Sequence, residues 1–290
     1  MNGETYKGDE SDAKIAAVRQ RWNETAARYT ETANKRLTLQ CAVEMHSHMQ
    51  LDSACTVLEV AAGPGMGTLD IVRRLTSGND TAPTGKKQLI VTDLSPEMVK
   101  IAQERLANAG SEHLDVKVME ANGQNLEEIS TASMDRFVSS LCLQLTPDAD
   151  AMLREAKRVL KPNGLAGFTI WGRPECSGLF MIDSAFNKEI GMSDGAPHPN
   201  FELGRDLVAL RKRFAAAGFS EVRIWPFLCV LELWSGDGFA EFYLARYPPE
   251  DETKRAQAAE HVQIAKRMGD EWLANGFPIG LETYVVIAKA

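Results

Sequence analysis

The chain has 290 residues, of which 44% are hydrophobic and 25% are charged. These values are ordinary for a globular protein that is long enough to bury a full core. The net charge is −8 without a dense Lys/Arg cluster, which argues against a nucleic-acid partner. The chain contains no apolar run of the ~18 residues that would cross a bilayer, and its N-terminus is polar. We therefore expect a cytoplasmic protein that does not insert into a membrane.

The cysteine pattern and the N-terminal pattern give two further expectations. The five cysteines show no CxxC spacing, so we assign none of them to a disulfide or a metal site. Residues 1–12 are polar and are expected to be disordered. Apolar residues then recur at helical spacing in two predicted helices, which contain Ile15, Val18, Trp22, Ala26 and Tyr29, and then Leu37, Cys41, Met45 and Met49.

After Leu51 the pattern alternates between strands and helices. Predicted strands cover residues 55–61, 88–93, 114–120, 134–140 and 165–171. Ser95–Pro96 and Thr146–Pro147 each have the form of an N-cap followed by a proline in the first helical turn. We expect Gly110 to end the first of these helices and residues 161–164 to end the second. Such alternation predicts a parallel sheet that is covered on both faces.

The C-terminal third departs from this alternation. We predict a helix over residues 203–217, a strand over 221–233 broken by Pro226, a mainly helical segment over 236–275 and a last strand over 283–288. The sequence SGNDTAPTGKK, which follows the first core helix, is predicted to be a loop. Helices inserted near the edge of a sheet often form a lid over a substrate pocket.

A glycine-rich segment, Glu59-Val60-Ala61-Ala62-Gly63-Pro64-Gly65-Met66-Gly67, directly follows the first core strand. Glycines at such a turn let the backbone approach a ligand closely. A dinucleotide-binding fingerprint would require G-x-G-x-x-G. Here Gly67 comes one position too early, Thr68 stands where the last glycine belongs, and the acid Asp93 follows Gly65 by 28 residues.

The chain instead resembles the class I S-adenosylmethionine-dependent methyltransferases. The segments VLEVAAGPGMG, LSPEM, DRFVSSLCLQL and EAKRVLKPNGLAGFTIW match the family pattern over about residues 57–171. In that pattern Ala61 stands where the family has its first glycine, and Asn122 takes the place of an aspartate. The resemblance is greatest to the small-molecule branch that includes quinone-type methyltransferases and methyltransferase type 11-like proteins.

The resemblance implies a set of cofactor contacts. Asp93 would bind the ribose hydroxyls of S-adenosylmethionine, Leu94 and Met98 would lie against the adenine, and Ser139 would lie beside the methionine part. Glu59 either supports the loop or contacts the cofactor, although a solvated strand-end acid is the simpler alternative. Tyr29, on the first helix, is a candidate cover. The full implied set is Tyr29, Glu59, Ala61, Gly63, Gly65, Asp93, Leu94, Met98, Asn122, Gly123 and Ser139.

The acceptor side is less defined. Trp171 ends a strand where open α/β sheets bind substrates, and Tyr243 lies on an apolar face of the 236–275 segment, so both are candidates for the substrate pocket, with plain packing as the alternative. His46 and His48 are too badly spaced to chelate a metal. His113, His198 and His261 are expected to be isolated surface residues. We nominate no catalytic base and no metal ligand.

These observations predict a single α/β methyltransferase domain over residues 1–290. It would comprise an N-terminal helical extension (1–50), a cofactor-binding core (51–235), a helical lid insertion (236–277) and a last strand (278–290). The resemblance implies a doubly wound, seven-stranded, Rossmann-like sheet with an antiparallel last strand. The expected activity is methyl transfer from S-adenosylmethionine to a small organic acceptor. A nicotinamide-dependent oxidoreductase and a catalytically silent partner protein are the alternatives.

Overall fold

A computed structural model describes residues 5–31, 37–77, 85–246 and 252–290. Its seven-stranded sheet has the order β3-β2-β1-β4-β5-β7-β6. The expected loop after the first core helix lies largely outside the described residues, as do residues 1–4. The strands are β1 Thr56–Val60, β2 Lys87–Asp93, β3 Leu114–Glu120, β4 Met134–Ser140, β5 Leu160–Trp171, β6 Glu221–Val230 and β7 Gly280–Lys289.

The sheet is mixed. Strands β1 to β5 pair in parallel, so their carboxyl ends lie at one edge. Strand β7 runs antiparallel to β5, because Gly172 N–H donates to the Glu282 carbonyl near one end and Ala290 N–H to the Gly164 carbonyl near the other. The predicted doubly wound, seven-stranded sheet with an antiparallel last strand is therefore confirmed.

Nine helices are defined within the described part of the chain. Favourable caps begin several of them: Ser95 Oγ accepts from Met98 N–H ahead of Pro96 in α4, and Asp148 Oδ1 accepts from Ala151 N–H in α5. The helices are α1 Thr5–Glu31, α2 Leu39–Ser47, α3 Met66–Thr76, α4 Pro96–Leu106, α5 Ala149–Val159, α6 Gly178–Glu189, α7 Leu207–Ala216, α8 Gly236–Arg246 and α9 Glu252–Ala274.

Some predicted helix boundaries are wrong. Helix α1 begins at Thr5, so the disorder expected for residues 1–12 does not extend through that segment. Helix α4 ends at Leu106, before the expected terminator Gly110. The cap of α5 is Asp148 rather than Thr146, because Asp148 accepts the free N–H of Ala151 while the Thr146 hydroxyl donates to the Leu143 carbonyl.

The strand boundaries in the second half also differ from the prediction. Strand β5 begins at Leu160, directly after α5, and Asn163 takes a left-handed conformation within it (φ 66°). Strand β6 runs through Pro226 without a break; this proline is tolerated because β6 is the edge strand, where one side of the backbone needs no partner. The helix predicted over 203–217 begins at Leu207, capped by Asp206, and α6 was not predicted.

The chain forms two compact units. Unit 1 comprises residues 1–170, 206–225 and 284–290, and unit 2 comprises residues 171–205 and 226–283. The core of unit 1 includes a row of aromatic rings, with Phe137 and Phe214 each about 5.5 Å from Phe168 (5.4 and 5.5 Å). In unit 2, buried Phe186 packs against Tyr243, with 4.7 Å between the ring centroids and the rings tilted by 48°. The interpretation of the chain as one methyltransferase domain stays a prediction.

Among the described helices, none combines the length and the apolar character that crossing a bilayer requires.

Candidate functional site

The loop between β1 and α3 is built on left-handed backbone. Gly63 and Gly65 have φ values of 56° and 76°, which glycine adopts without strain. The two glycines face different surroundings. A Cβ on Gly63 would meet no atom within 4 Å, whereas one on Gly65 would lie 3.4 Å from Ala102 Cβ and 3.5 Å from Leu106 Cδ1 of α4. Gly63 therefore faces open space, and Gly65 allows close packing on α4.

Ala61 keeps the backbone shape that the family pattern assigns to a glycine. Its φ is 58°, a left-handed conformation that costs a residue with a Cβ about 1–2 kcal/mol. Ala62, the next residue, donates its N–H to the Thr92 carbonyl at 3.0 Å, which ties the loop to the end of β2. Ala61 thus takes the left-handed conformation that glycine adopts most readily.

Asp93 ends β2 beside this loop. Its Oδ2 accepts from Gly63 N–H at 2.8 Å, and its Oδ1 accepts from Ser95 N–H at 2.9 Å. Burial raises the pKa of Asp93, and hydrogen bonds from the backbone N–H groups of Ser95, Gly63 and Leu94 oppose that rise. A carboxylate has about four lone-pair sites, so the side chain retains capacity to accept hydrogen bonds from a ligand.

Glu59, on β1, is not a solvated strand-end acid. It is only 5% exposed, and its Oε2 accepts from the Thr68 hydroxyl at 2.6 Å. Burial raises the pKa of Glu59 to about 7; the Thr68 hydrogen bond opposes this rise and the charge of Asp93 adds to it. Thr68 thus has a role in the site that the glycine pattern alone did not indicate.

Helix α1 contributes Tyr29 and is anchored next to Asp93. The Ser95 hydroxyl donates to Asn23 Oδ1 at 2.6 Å, and the Trp22 ring meets the Tyr29 ring edge-on at 5.2 Å. Burial raises the pKa of the Tyr29 hydroxyl to about 12; a hydrogen bond with Thr38 opposes this rise, and the charges of Cys41 and Asp93 add to it. Tyr29 therefore lies within electrostatic range of Asp93.

The carboxyl ends of β3 and β4 lie at the same edge of the sheet as the glycine loop and Asp93. Asn122 Oδ1 accepts from Gln124 N–H at 3.0 Å in a tight turn. Gly123 is required by packing, since a Cβ there would come within 2.8 Å of Val60 Cγ1. Ser139 is fully buried. Cys142, which the sequence did not single out, has its pKa raised to about 12 by burial, with the charge of Asp93 adding to the shift.

Leu94 and Met98 differ in their accessibility. Leu94 is half-buried beside Asp93, whereas Met98 is only 1% exposed and packs in the core through α4.

Together with the residues above, all eleven predicted cofactor contacts lie in unit 1. Ten of them belong to the ends of β1 to β4 and the segments that follow these strands, and Tyr29 belongs to α1.

The two predicted substrate residues lie in unit 2. Trp171 is 9% exposed and packs against Phe180 (4.1 Å between ring centroids) and Phe201 (4.8 Å). The imidazole of His198 lies 5.0 Å from the Trp171 ring, and that of His261 lies 5.4 Å from Phe186. The expectation that these histidines are isolated is therefore wrong, because aromatic side chains distant in sequence pack against both.

The two histidines close together in sequence, His46 and His48, contact different side chains. The nearest histidine to the loop, His46, is buried and its Nδ1 lies 3.1 Å from Asp70 Oδ2, whereas His48 contacts Glu44 and Trp225. The two side chains thus point to different partners, as their spacing predicts. In the described ranges no group of three His, Cys, Asp or Glu side chains is arranged to hold a metal ion.

Comparisons with known proteins agree with this geometry. Residues 57–164 match a family described as a methyltransferase domain. An uncharacterised protein of Mycobacterium tuberculosis is 33% identical over 126 residues, 43% of this chain and 43% of that protein. The 2-methyl-6-phytyl-1,4-hydroquinone methyltransferase 2 of Oryza sativa is 33% identical over 110 residues, 38% of this chain and 27% of that protein. The matched segments thus span less than half of these curated relatives.

A solved structure supports the fold over most of the chain. A proposed methyltransferase of Bacillus halodurans superposes with a TM-score of 0.52 at 14% identity, covering 86% of this chain and 97% of that chain. The family match runs from β1 into β5, and the sheet order is the one that the sequence resemblance implied. The family match therefore covers residues 57–164, and the solved structure, at 14% identity, shows the fold alone.

Proposed function

We propose that this protein transfers the methyl group of S-adenosylmethionine to a small organic acceptor by in-line displacement. The observation that carries the proposal is the arrangement of Asp93 and Gly63. A half-buried carboxylate with unused lone pairs is held by the N–H of a loop residue that faces open space. Such an arrangement suits a vicinal diol next to a backbone that a ligand can approach closely.

The other residues of the edge fit an adenosyl group. Asp93 would accept both ribose hydroxyls, and Leu94 and Met98 would form the apolar side of the adenine pocket. Asn122 would hydrogen-bond the adenine edge through its amide, whose Oδ1 already fixes the turn. Ala61, Gly63, Gly65 and Gly123 would provide close backbone approach or the packing that permits it, and Glu59 and Ser139 would face the methionine part.

The chain's main contribution to the reaction would be alignment. Bound S-adenosylmethionine supplies a methyl group that its sulfonium already activates. Holding an acceptor in line with the S–CH3 bond can contribute about 7–11 kcal/mol to such a step. Tyr29 on α1 would shield the site from water, which strengthens the polar interactions within it. We assign no residue as a general base.

The acceptor is proposed to be a small aromatic or otherwise apolar molecule of the hydroquinone kind. The partial likeness to a plant enzyme named for a hydroquinone substrate supports this class, as do the aromatic rings around Trp171 and Tyr243 in unit 2. Trp171 and Tyr243 would select the acceptor. The acidic composition, with a net charge of −8, supports a cytoplasmic protein without a nucleic-acid substrate.

A screen of phenolic, quinol and amine acceptors tests the activity directly. Purified protein is incubated with S-adenosylmethionine and each candidate, and S-adenosylhomocysteine formation is measured. We expect acceptor-dependent turnover with at least one quinol or phenol. A protein that binds the cofactor but transfers its methyl to none of these acceptors would favour the silent-partner alternative. NADH titration addresses the oxidoreductase alternative, for which we expect no saturable binding.

A further inference from the structure

Two carboxylates flank the glycine loop without a cationic partner. Glu59 and Asp93 lie on the neighbouring strands β1 and β2, and the charge of Asp93 reaches Glu59. In the described part of the chain, the hydrogen bonds of these carboxylates come from the Thr68 hydroxyl and from backbone N–H groups. Neither carboxylate forms an ion pair there with Lys, Arg or His. Buried carboxylates normally have a counter-charge, so their surroundings suit a ligand that provides one.

The charged and titratable neighbours do not supply that counter-charge. A Cβ on Gly67 would lie 3.7 Å from Glu59 Oε1 and 3.8 Å from the ring of His46. Burial lowers the pKa of His46, although its bond to Asp70 opposes that effect, so burial disfavours a positive charge on this ring. Arg105 donates to the Pro64 carbonyl, and Arg73 and Arg74 pair with Asp70. The charge of Asp93 also acts on Tyr29 and Cys142, but both are weak acids, so neither can carry a positive charge.

We infer that Glu59 senses the positive charge of the cofactor, so that cofactor binding drives a proton from its carboxyl group into solvent. This inference rests on the proposed cofactor site and goes beyond it. The O–H bond of the Glu59 carboxyl breaks, the carboxylate remains, and buffer takes up the proton. The cation is a sulfonium or an α-ammonium group, both of which S-adenosylmethionine contains. The hydroxyl of Thr68 stabilises the resulting carboxylate through its 2.6 Å hydrogen bond.

The pH dependence has a defined sign. Burial places the pKa of free Glu59 at about 7, and a cation within about 4–6 Å lowers a carboxyl pKa by about 1–3 units. Glu59 is therefore partly protonated in the free protein at neutral pH and ionised in the complex. We expect release of about 0.4–0.9 proton at pH 6, about half a proton at pH 7 and almost none above pH 8.5. S-adenosylmethionine should bind about tenfold more weakly at pH 6 than at pH 8.

Isothermal calorimetry in buffers of different ionisation enthalpy measures the proton count. The probes are S-adenosylmethionine, with both cations; S-adenosylhomocysteine, with only the ammonium; and 5′-methylthioadenosine, with neither. The proteins are the wild type, Glu59→Gln, and Glu120→Gln as a matched control. Glu120 ends the adjacent strand β3 but is exposed and paired with Arg19 at 2.6 Å. The α-amino group of the ligand also titrates near pH 8, and it contributes equally to the proton count of every protein. The proton count of the wild type minus that of Glu59→Gln therefore reports on Glu59 alone.

The expected result is proton release in the wild type and Glu120→Gln that Glu59→Gln lacks. Release with the first two probes identifies the ammonium as the sensed group, and release with S-adenosylmethionine alone identifies the sulfonium. Equal proton counts in wild type and Glu59→Gln, or equal release with 5′-methylthioadenosine, would overturn the inference while leaving cofactor binding intact. Failure of the wild type to bind S-adenosylmethionine would overturn the proposed function itself.

A second variant covers the case in which Glu59→Gln does not fold. Thr68→Val removes the hydrogen bond that favours ionised Glu59, so the pKa of Glu59 should rise and the window of proton release should move to higher pH. An unchanged window in folded Thr68→Val, checked by circular dichroism, would also contradict the inference.

Discussion

The backbone N–H of Gly63 donates to Oδ2 of Asp93 at 2.8 Å, which joins the glycine loop after β1 to the acid that ends β2. The hydrogen bond fixes the carboxylate and the loop relative to each other before any ligand arrives. Because Gly63 has a φ of 56° and open space at its Cβ position, the loop presents backbone rather than side chain at this point. Pre-formed geometry of this kind lowers the ordering cost of binding.

Gly63 and Gly65 should respond differently to substitution by valine. Gly63→Val would project a branched side chain into the open space and should weaken S-adenosylmethionine binding at least tenfold, with a stability loss of about 1–2 kcal/mol from the left-handed backbone. Gly65→Val would press on Ala102 and Leu106 as well and should be the less stable variant. Urea denaturation and calorimetry measure the two effects. A Gly63→Val protein with wild-type affinity would contradict ligand approach at Gly63.

Ala61→Gly tests the strain at the first position of the loop. The substitution removes a left-handed alanine conformation that costs about 1–2 kcal/mol, but it gives the unfolded chain about 0.5–1 kcal/mol of extra conformational freedom. We expect a change in the free energy of unfolding between zero and about 1.5 kcal/mol in the stabilising direction, with cofactor affinity within about twofold. Clear destabilisation in urea titrations would mean that the Ala61 methyl group makes packing contacts that outweigh its strain.

Asp70 should stabilise unit 1 in a pH-dependent way. It accepts hydrogen bonds from Arg73 and Arg74 and lies 3.1 Å from His46 Nδ1; although burial opposes them, these partners lower the pKa of Asp70 far below its usual range. A depressed carboxyl pKa gives stability above the unfolded pKa of about 4, and this stability is lost as pH falls below it. Asp70→Asn should therefore lower the melting temperature at pH 7 by about 5 °C.

The difference in melting temperature between the wild type and Asp70→Asn should shrink as the pH falls from about 4 towards 2. Over this range the wild-type carboxylate begins to be protonated and loses the charge that stabilises it relative to the neutral amide. Differential scanning fluorimetry across pH 2–8 measures the gap between the two proteins. A gap that stays constant over this range would show that the side chain acts through shape and hydrogen bonding rather than through its charge.

Tyr243 tests the assignment of acceptor selection to unit 2. Tyr243→Ala should lower acceptor turnover or raise the KM for the acceptor, while S-adenosylmethionine affinity stays within about twofold, because the proposed cofactor contacts all lie in unit 1. Tyr243→Phe is the matched control, since it keeps the ring that packs on Phe186 at 4.7 Å. A lowered melting temperature together with loss of both cofactor binding and turnover would identify Tyr243 as a core residue instead.

The sequence predicted that Gly63 and Asp93 meet at one edge of the sheet because local rules determine this. A strand followed by glycines, and an acid at the end of the next strand, place Gly63 and Asp93 at the same edge of a parallel sheet. Ser95 is a cap whose neighbours in sequence suffice to define it. The sheet order required the family resemblance as well, because periodicity gives elements but not their arrangement.

Other features depend on contacts between distant segments. The separate roles of Gly63 and Gly65 appear only once α4 packs beside the loop. Thr68 bonds Glu59 because α3 returns along β1. Pro226 could be predicted to continue a strand only with the knowledge that β6 is an edge, and the surroundings of His198 depend on Trp171.

The central claim is that Asp93 anchors S-adenosylmethionine, and calorimetry on the wild type, Asp93→Ala and the control Glu120→Ala tests it most directly. Loss of two charge-assisted hydrogen bonds, each worth about 1.5–3 kcal/mol, should weaken binding by Asp93→Ala tenfold or more. Glu120→Ala, which removes an exposed acid from the end of β3, should bind within about twofold of the wild type. A folded Asp93→Ala protein that binds S-adenosylmethionine with the wild-type dissociation constant would contradict the account.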